Sequence, residues 1–524
     1  MKHACIISNL NLTLSNQDIF KQLSFTLYSG QTSALIGRNG LGKSILFKIL
    51  HLQQQATFPY TGQIVWDTQH SYLGQLECLN VETIAQALNV ENLHTAFQRI
   101  ENNTACFEDY DLVENTWDLP QEWQKILCKA QLPIDLNFPI KQLSEGQKTK
   151  LALCYLFLKK DHYLLLDEPS NHLDIQAKQW LIESILAHPA GVFLISHDHQ
   201  LLDHIQHIYA LSELGLQHIC GNYTDYIQQH QQYIHVLSQS IQQEKREIKQ
   251  LKQQQHETLM KSQKRQRKGI KLRESSSQSK ILLNSKKESA EKSIGKLKSQ
   301  QNIKMDQSKV DLQQKQSIWE KVTPQNFEFH IQNSKQGEIL RISDLKLPFT
   351  STKLIKLAIQ AGEKIHLKGA NGIGKSTLLK LIYHHQIPEI YLNAQCLYLD
   401  QNFSLLNDKL TVLDNLRTFN PNISEVEWRK LLGQLRIRGE RALLKMEFLS
   451  GGEKLKVALL GISYIAKDID LLLLDEPENH LDIDSKNLLA QAIQKFKGAI
   501  ILVSHNDFFV QQCGISETFI LHES

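Results

Sequence analysis

Two α/β domains of one design, joined by a long α-helical linker, form the fold class that three features of the sequence predict. The eleven residues LLLDEPSNHLD at 164–174 return as LLLDEPENHLD at 472–482. A glycine-rich G-x-x-x-x-G-K-S segment precedes each copy, GRNGLGKS at 37–44 and GANGIGKS at 369–376. Between the copies no proline interrupts the chain from Pro189 to Pro324, and Gln, Lys, Glu and Ser crowd that stretch, as a long solvated helix requires. At 524 residues the chain exceeds what one core sustains, so two or three domains of ordinary size are expected.

The glycine-rich segments come first in each half. Each follows a short apolar strand, SALI or KIHL, and opens an apolar helical run, which is the setting of a phosphate-binding loop. Gly37, Arg38, Asn39, Gly40 and Gly42 in the first half, and Gly369, Ala370, Asn371, Gly372 and Gly374 in the second, let main-chain amides point inward around phosphate. Lys43 and Lys375 meet the β and γ charges. Ser44 and Ser376 offer a hydroxyl to Mg²⁺, with Thr377 beside the second.

In the repeated phrase the apolar residues form a buried strand that ends at Asp167 or Asp475. An acid at that edge can hold Mg²⁺ through water, and Glu168 or Glu476 beside it can orient and deprotonate an attacking water. Two further segments recur: LSEGQKTKLAL at 143–153 with LSGGEKLKVAL at 449–459, and LISHD at 194–198 with LVSHN at 502–506. The first pair starts a helix with Ser and Gly, so that Ser144, Gly146 and Gln147, or Ser450, Gly451, Gly452 and Glu453, make a second anion site. A phosphate loop already surrounds its own nucleotide. Each of these helix starts is therefore expected to cap the nucleotide held by the other half. His197 and His505 follow apolar strands, where an imidazole can hydrogen-bond a γ-phosphate.

Charge is local. Residues 241–320 carry 20 Lys or Arg against 9 Asp or Glu, a net +11, so the overall +3 leaves 3 − 11 = −8 for the remainder. Ile234, Leu237, Ile241, Ile248 and Leu251 recur at 3, 4, 7 and 3, and Met305, Leu312 and Trp319 recur at 7, so two helices should pair along an apolar seam. Between them lies a basic, Ser-rich segment with one apolar cluster, Ile281 to Leu283. A solvated coiled coil and an RNA-binding hairpin both fit this charge pattern. No apolar run approaches the roughly 18 to 20 residues of a spanning helix, and MKHACIISNLNL argues against a secretory signal. The eight cysteines include no C-x-x-C pair, which suits reduced thiols in a cytosol better than disulfides or a zinc site.

This order of motifs resembles the nucleotide-binding domains of ATP-binding cassette proteins over residues 1–225 and 325–524. Two cassettes in one chain, a charged helical linker over 226–324 and NHLD after the paired acids are similar to the ABC-F family of translation-associated ATPases. The resemblance implies ATP hydrolysis with Mg²⁺, and it implies that Gln75 in YLGQLE and Gln401 in YLDQNF reach the metal and sense the γ-phosphate. It implies a cytoplasmic monomer whose cassettes close head to tail, with no stable membrane subunit. Its partner would be the ribosome: large-subunit rRNA at the E site and P-site tRNA, with the linker tip directed at the peptidyl-transferase centre. The first half carries about 20 extra residues between Gln75 and Ser144, since the offset between copies falls from 401 − 75 = 326 to 450 − 144 = 306. In the family that position, here within about 80–140, holds an arm that meets the ribosome, and WDLPQEW at 117–123 falls inside it.

A short arm and a long linker favour the members that dislodge antibiotics. A housekeeping factor that relieves stalled ribosomes is the alternative. A transporter motor is a third reading, against which the fused halves and the basic hairpin argue. Where the family commonly has Thr after DEP, this chain has Ser170 and Glu478, and Glu145 replaces the first glycine of the first signature. An acid there would face the triphosphate held by Lys375, so the two sites are expected to be unequal. The adenine-stacking position falls near Leu14 in the first half and Phe349 in the second.

Overall fold

The computed structural model describes residues 2–14, 17–55, 58–74, 81–114, 116–171, 173–274, 280–323, 325, 327, 335–348, 353–370, 372–385, 387–465, 469–479 and 481–522. They form two units, Met1–Tyr223 with Gln325–Ser524, and Thr224–Pro324.

The first unit contains the two repeated halves, each built on two sheets. In the first half a six-stranded sheet runs in the order His70–Leu73, Tyr163–Asp167, Val192–Ile195, Thr32–Gly37, His207–Ser212, Gly215–Cys220. In the second a five-stranded sheet repeats this order with Cys396–Asp400, Leu471–Asp475, Ala499–Val503, Lys364–Lys368 and Glu517–Ile520. All these pairs are parallel except the last of the first half, where Gly215–Cys220 turns back antiparallel on His207–Ser212. The runs YLLLD, LLLLD and AIILV are buried at every residue. Continuous apolar sequence is what a parallel strand covered on both faces demands. Each half adds a three-stranded antiparallel sheet; in the second, the strand Ile355–Gln360 alternates buried and exposed, as a one-sided strand does.

Packing closes these layers around the helix that follows each phosphate loop. From Lys43–Leu52, Leu46, Phe47, Ile49 and Leu50 join Phe25, Phe193 and Tyr209 in one core; Leu378, Leu379 and Ile382 do the same in the second half with Ile365, Leu473 and Ile501. Each such side chain contributes roughly 1.5–3 kcal/mol through burial. The helices Glu145–Phe157 and Gly451–Ser463 begin in capping boxes, Ser144 with Gln147 and Ser450 with Glu453. Those side chains satisfy amides that would otherwise be orphaned at the helix start.

Isolated bridges mark equivalent points of the halves, Thr83 with Pro139 and Thr411 with Lys445. The spans are 139 − 83 = 56 and 445 − 411 = 34 residues, and the additional 22 accommodate a helix pair, Glu91–Glu101 and Phe107–Val113. The next helix, Leu119–Lys129, starts with proline in its first turn, where the missing N–H costs nothing. Its Trp123 is buried, edge-on to Phe97 at 6.1 Å. Phe107, Tyr110, Leu112 and Trp117 are exposed.

The second unit is a helical hairpin, Tyr223–Glu274 and Lys280–Val322. At about 1.5 Å per residue the first helix is roughly 78 Å long. Lys315 pairs with Glu244 at 2.9 Å and Gln255 Nε2 donates to Asn302 Oδ1 at 2.9 Å; 315 + 244 and 255 + 302 agree within two, the signature of an antiparallel register. Leu237 and Ile241 are buried, and Ile234, Ile248, Leu251, Met305, Leu312 and Trp319 are partly buried. The side chains of Ile281, Leu282 and Leu283 lie outside the described set. No described helix is long and apolar enough to cross a membrane.

Candidate nucleotide-binding site

The carboxyl edges of the two parallel sheets meet at one cavity of about 1400 Å³. Gly40, Gly42, Lys43, Ser44, Asp167, Glu168 and His197 line it from the first half, and Gly372, Gly374, Lys375, Ser376, Thr377, Gln401, Glu476 and His505 from the second. Gly42 and Gly374 sit just ahead of their helices at φ 84° and 99°. That left-handed backbone favours glycine, and a Cβ on Gly42 would meet Ile19 Cγ2 at 2.6 Å. Each loop folds around its own lysine. Lys43 Nζ donates to the carbonyls of Gly37 and Arg38 at 2.6 and 3.0 Å, and Lys375 Nζ to those of Gly369 and Ala370 at 2.9 and 3.0 Å. Burial lowers the pKa of both amines, opposed by Glu168, Asp482 and Asp167 around Lys43 and by Glu476 and Asp475 around Lys375.

At each site a hydroxyl meets a carboxylate. Ser376 Oγ donates to Asp475 Oδ1 at 3.0 Å, and Ser44 hydrogen-bonds Asp167. Asp167 Oδ1 is buried and has no hydrogen-bond partner among the described residues. Clustered hard oxygens of this kind suit Mg²⁺, so the residues present fit the ion. The sequence pattern did not single out Tyr398, whose hydroxyl donates to Asp475 Oδ2 at 2.7 Å. Gln401 lines the cavity, and its Oε1 accepts from Asn479 at 3.4 Å. Gln75, Asn371 and Phe349 lie outside the described residues, and Leu14 packs against the core of its own half.

The glutamates after these aspartates share an uncommon backbone, with φ 53° at Glu168 and 48° at Glu476. Their environments differ. Glu168 is enclosed, and burial pushes its pKa up to about 7 against the pull of Lys43 and Lys486. His197 Nε2 lies 3.5 Å from its carboxylate, and burial keeps that imidazole well below the usual histidine range, hence neutral. Glu476 is held below its ordinary value by His505, 3.2 Å away, and by Asn479 Nδ2, which donates at 2.7 Å.

The halves also touch directly. Arg38 pairs with Asp484 at 2.6 Å, and the amide of Asn39 donates to Asp482 Oδ2 at 2.7 Å. Lys486 Nζ donates to the carbonyl of His197 at 3.2 Å, whereas its counterpart Lys178 pairs with Asp198 of its own half at 2.6 Å. Asp198 supplies a charge there; Asn506, in the matching place, does not.

Ser144, Glu145, Gly146 and Gln147 line this cavity together with both phosphate loops. The second signature lies against Asp482, the carboxylate that accepts the amide of Asn39 in the first phosphate loop: a Cβ on Gly452 would meet Asp482 Oδ1 at 3.9 Å. Ser450, Gly451, Gly452 and Glu453 are not among the cavity's lining residues; Ser450 and Glu453 cap their helix, Glu453 also pairs with Arg441, and Gly452 packs so closely on Ser485 that a Cβ would meet its Oγ at 2.4 Å.

Glu478 is another residue whose role the repeat does not reveal. It is buried, its Oε1 accepts from the hydroxyl of Ser504, and Oε2 has no partner among the described residues. Burial raises it to about 6. In the first half the equivalent pair is neutral, Ser170 with Ser196 at 3.4 Å.

A sequence profile of the family described as ABC transporter matches residues 20–171 and 352–479, more than half of the chain. A putative ATP-binding protein of Bacillus subtilis, YdiF, is 27% identical over 97% of this chain and 78% of its own length. ABC transporter F family member 2 of Arabidopsis thaliana is 27% identical, over 97% and 75%. The ribosome protection protein VmlR of B. subtilis is also 27% identical, over 99% and 87%. Among solved structures, one described as RNase-L inhibitor superposes with a TM-score of 0.54 over 99% of this chain and 88% of that one; at 16% identity it shows the fold alone. With both halves matched and the phosphate loops, paired acids and histidines assembled at one cavity, the chain belongs to the ATP-binding cassette family, as an ATPase with two cassettes in tandem whose relatives are ABC-F proteins.

Proposed function

We propose that the chain hydrolyses ATP at two sites between its cassettes and uses that cycle on the ribosome, reaching from the E site toward the peptidyl-transferase centre to protect it from antibiotics. The basic helical hairpin carries this reading: +11 over residues 241–320 of a chain that is −8 elsewhere is the charge that binding rRNA phosphate uses. A ribosome protection protein among the relatives supports it.

In the proposed chemistry Lys43 and Lys375 leave their loop carbonyls to meet β and γ oxygens, and Ser144 to Gln147 approach the triphosphate held by Lys375. Ser44 with Asp167 and Gln75, and Ser376 with Asp475 and Gln401, would hold Mg²⁺, which would supply positive charge against the phosphates. Glu168 and Glu476 each orient a water and take its proton; His197 and His505 hydrogen-bond the γ-phosphate. Glu476, already ionised at neutral pH, is the readier base, while Glu168 needs the cations around it to lose its proton. The site of action would be the cytoplasm.

The test pairs ribosome binding with drug susceptibility. Gln at Lys261, Lys264, Arg265, Arg267 and Lys268 should leave ribosome-free ATPase intact and weaken ribosome pelleting, with the log-log salt slope falling by up to about 0.7–0.9 for each phosphate no longer neutralised. Ser at Ile281, Leu282 and Leu283 should retain binding yet lose protection against at least one class among macrolides, lincosamides, streptogramins A, pleuromutilins and phenicols. Ribosome binding with no protection by the wild type would indicate a housekeeping factor instead, and no ribosome binding would overturn both.

A further inference from the structure

The edge strand that ends the six-stranded sheet carries an arrangement unrelated to nucleotide. Gly215–Cys220 pairs antiparallel with His207–Ser212, placing Cys220 opposite His207 and His218 opposite Tyr209. Alternate residues of a strand share a face, so His207, Tyr209, His218 and Cys220 form one patch. One ligand atom each from His207, His218 and Cys220 lie within 4.8 Å of one another. Cys220 is a free, exposed thiol and His218 is exposed, while His207 Nδ1 is buried without a hydrogen-bond partner among the described residues. The patch has an aromatic floor: the His218 ring stacks on Tyr209 at 4.4 Å and 19°, and on His207 at 5.6 Å and 20°. Tyr209 itself is spent elsewhere, its hydroxyl donating to the carbonyl of Thr26 at 2.7 Å.

We propose that His207, His218 and Cys220 bind a thiophilic cation of the Zn²⁺ class, with solvent at the fourth position. Two imidazoles and a thiolate are the borderline-soft donor set that selects zinc over magnesium or calcium. Tetrahedral zinc with bonds of about 2.0–2.3 Å needs ligand atoms roughly 3.5 Å apart, which small side-chain rotations reach from the separations present. Binding deprotonates the Cys220 thiol, and the proton goes to solvent. The metal would staple an otherwise open sheet edge to its neighbour, three residues before the linker helix begins at Tyr223. The spacing, one histidine well upstream of an H-x-C, has no C-x-x-C signature, and only the hairpin register brings its members together.

The full chain, stripped with a chelator, is titrated with Co²⁺ as a spectroscopic stand-in and with Zn²⁺ in competition. One equivalent should give tetrahedral visible bands and a near-ultraviolet thiolate-to-cobalt band, both displaced by Zn²⁺. Cys220→Ser should abolish the thiolate band, and His218→Ala should weaken binding by more than about tenfold; both positions are exposed, so both variants should fold. Zn²⁺ should also slow alkylation of Cys220 at least severalfold while leaving Cys106 and Cys128, which are exposed too, unprotected. Absence of a stoichiometric thiolate band, or equal affinity in wild type and both variants, would overturn the site. Neither readout involves ATP hydrolysis.

Discussion

Asp482 of the second cassette holds the first phosphate loop: its Oδ2 accepts the amide of Asn39 at 2.7 Å, while its Oδ1 accepts the amide of Ser485 at 2.8 Å and caps the helix that follows. One carboxylate thus serves a local fold and a contact between halves. Asp482→Ala should lose about 1 kcal/mol as a helix cap and lower ATPase activity as well. Asp482→Ser keeps a cap but is too short for Asn39, so it should restore most of the stability in urea unfolding without restoring turnover. Full turnover in both variants would show that the bridge to Asn39 has no part in hydrolysis.

Replacing both Glu168 and Glu476 with Gln should abolish most hydrolysis and preserve ATP binding, since the amide keeps the shape and cannot accept the water's proton. Single variants should differ. With Glu476 ionised and Glu168 pushed up to about 7, Glu476→Gln should be the more damaging at about pH 6, one unit below that value. Steady-state rates of the three proteins from mildly acidic to mildly alkaline pH provide the check.

Glu145 shares the cavity with Lys375. A carboxylate about 5–8 Å from a polyphosphate opposes binding by roughly 1 kcal/mol at partly solvated dielectric, so Glu145→Gly should tighten ATP at that site by several fold. Fluorescent-nucleotide binding in a Lys43→Ala background isolates it. An unchanged affinity would remove the proposed source of inequality.

Glu478 makes stability depend on pH. Its carboxyl, raised from 4.5 to about 6 by burial, holds its proton more tightly when folded, so its contribution is intact below about pH 4.5 and is lost as pH rises through 6. At about 1.4 kcal/mol per pKa unit the loss approaches ~2 kcal/mol. Glu478→Gln keeps an acceptor for Ser504 and cannot ionise. It should match the wild type at the acid end of that window and exceed it at about pH 8, well above it, in thermal melts.

The chemistry of this chain lies close to its surface pattern. Phosphate loops, strand-end acids and the tandem fold class are legible because glycine spacing and continuous apolar runs report local backbone needs directly. What stayed hidden depends on register and on neighbours distant in sequence. Tyr398 reaches Asp475 only because their strands pair in parallel; Glu478 matters only through Ser504, 26 residues on; and Asp482 meets the amide of Asn39 across 443 residues of sequence. The grouping of His207, His218 and Cys220 is hidden for the same reason, since a pattern search for paired cysteines cannot see across a hairpin.

The left-handed backbone at Glu168 and Glu476 has a mechanical consequence. A non-glycine residue near φ 50° has little backbone latitude, so the main chain fixes where each glutamate side chain leaves the strand end. That main chain is itself tied, the amide of Glu168 to the carbonyl of Ile195 at 2.9 Å and that of Glu476 to Val503 at 3.0 Å, each two residues ahead of the histidine of its site. Glu168 with His197, and Glu476 with His505, are thereby tied to one pair of strand ends in each half. A displacement of either strand end would carry both residues of its pair together.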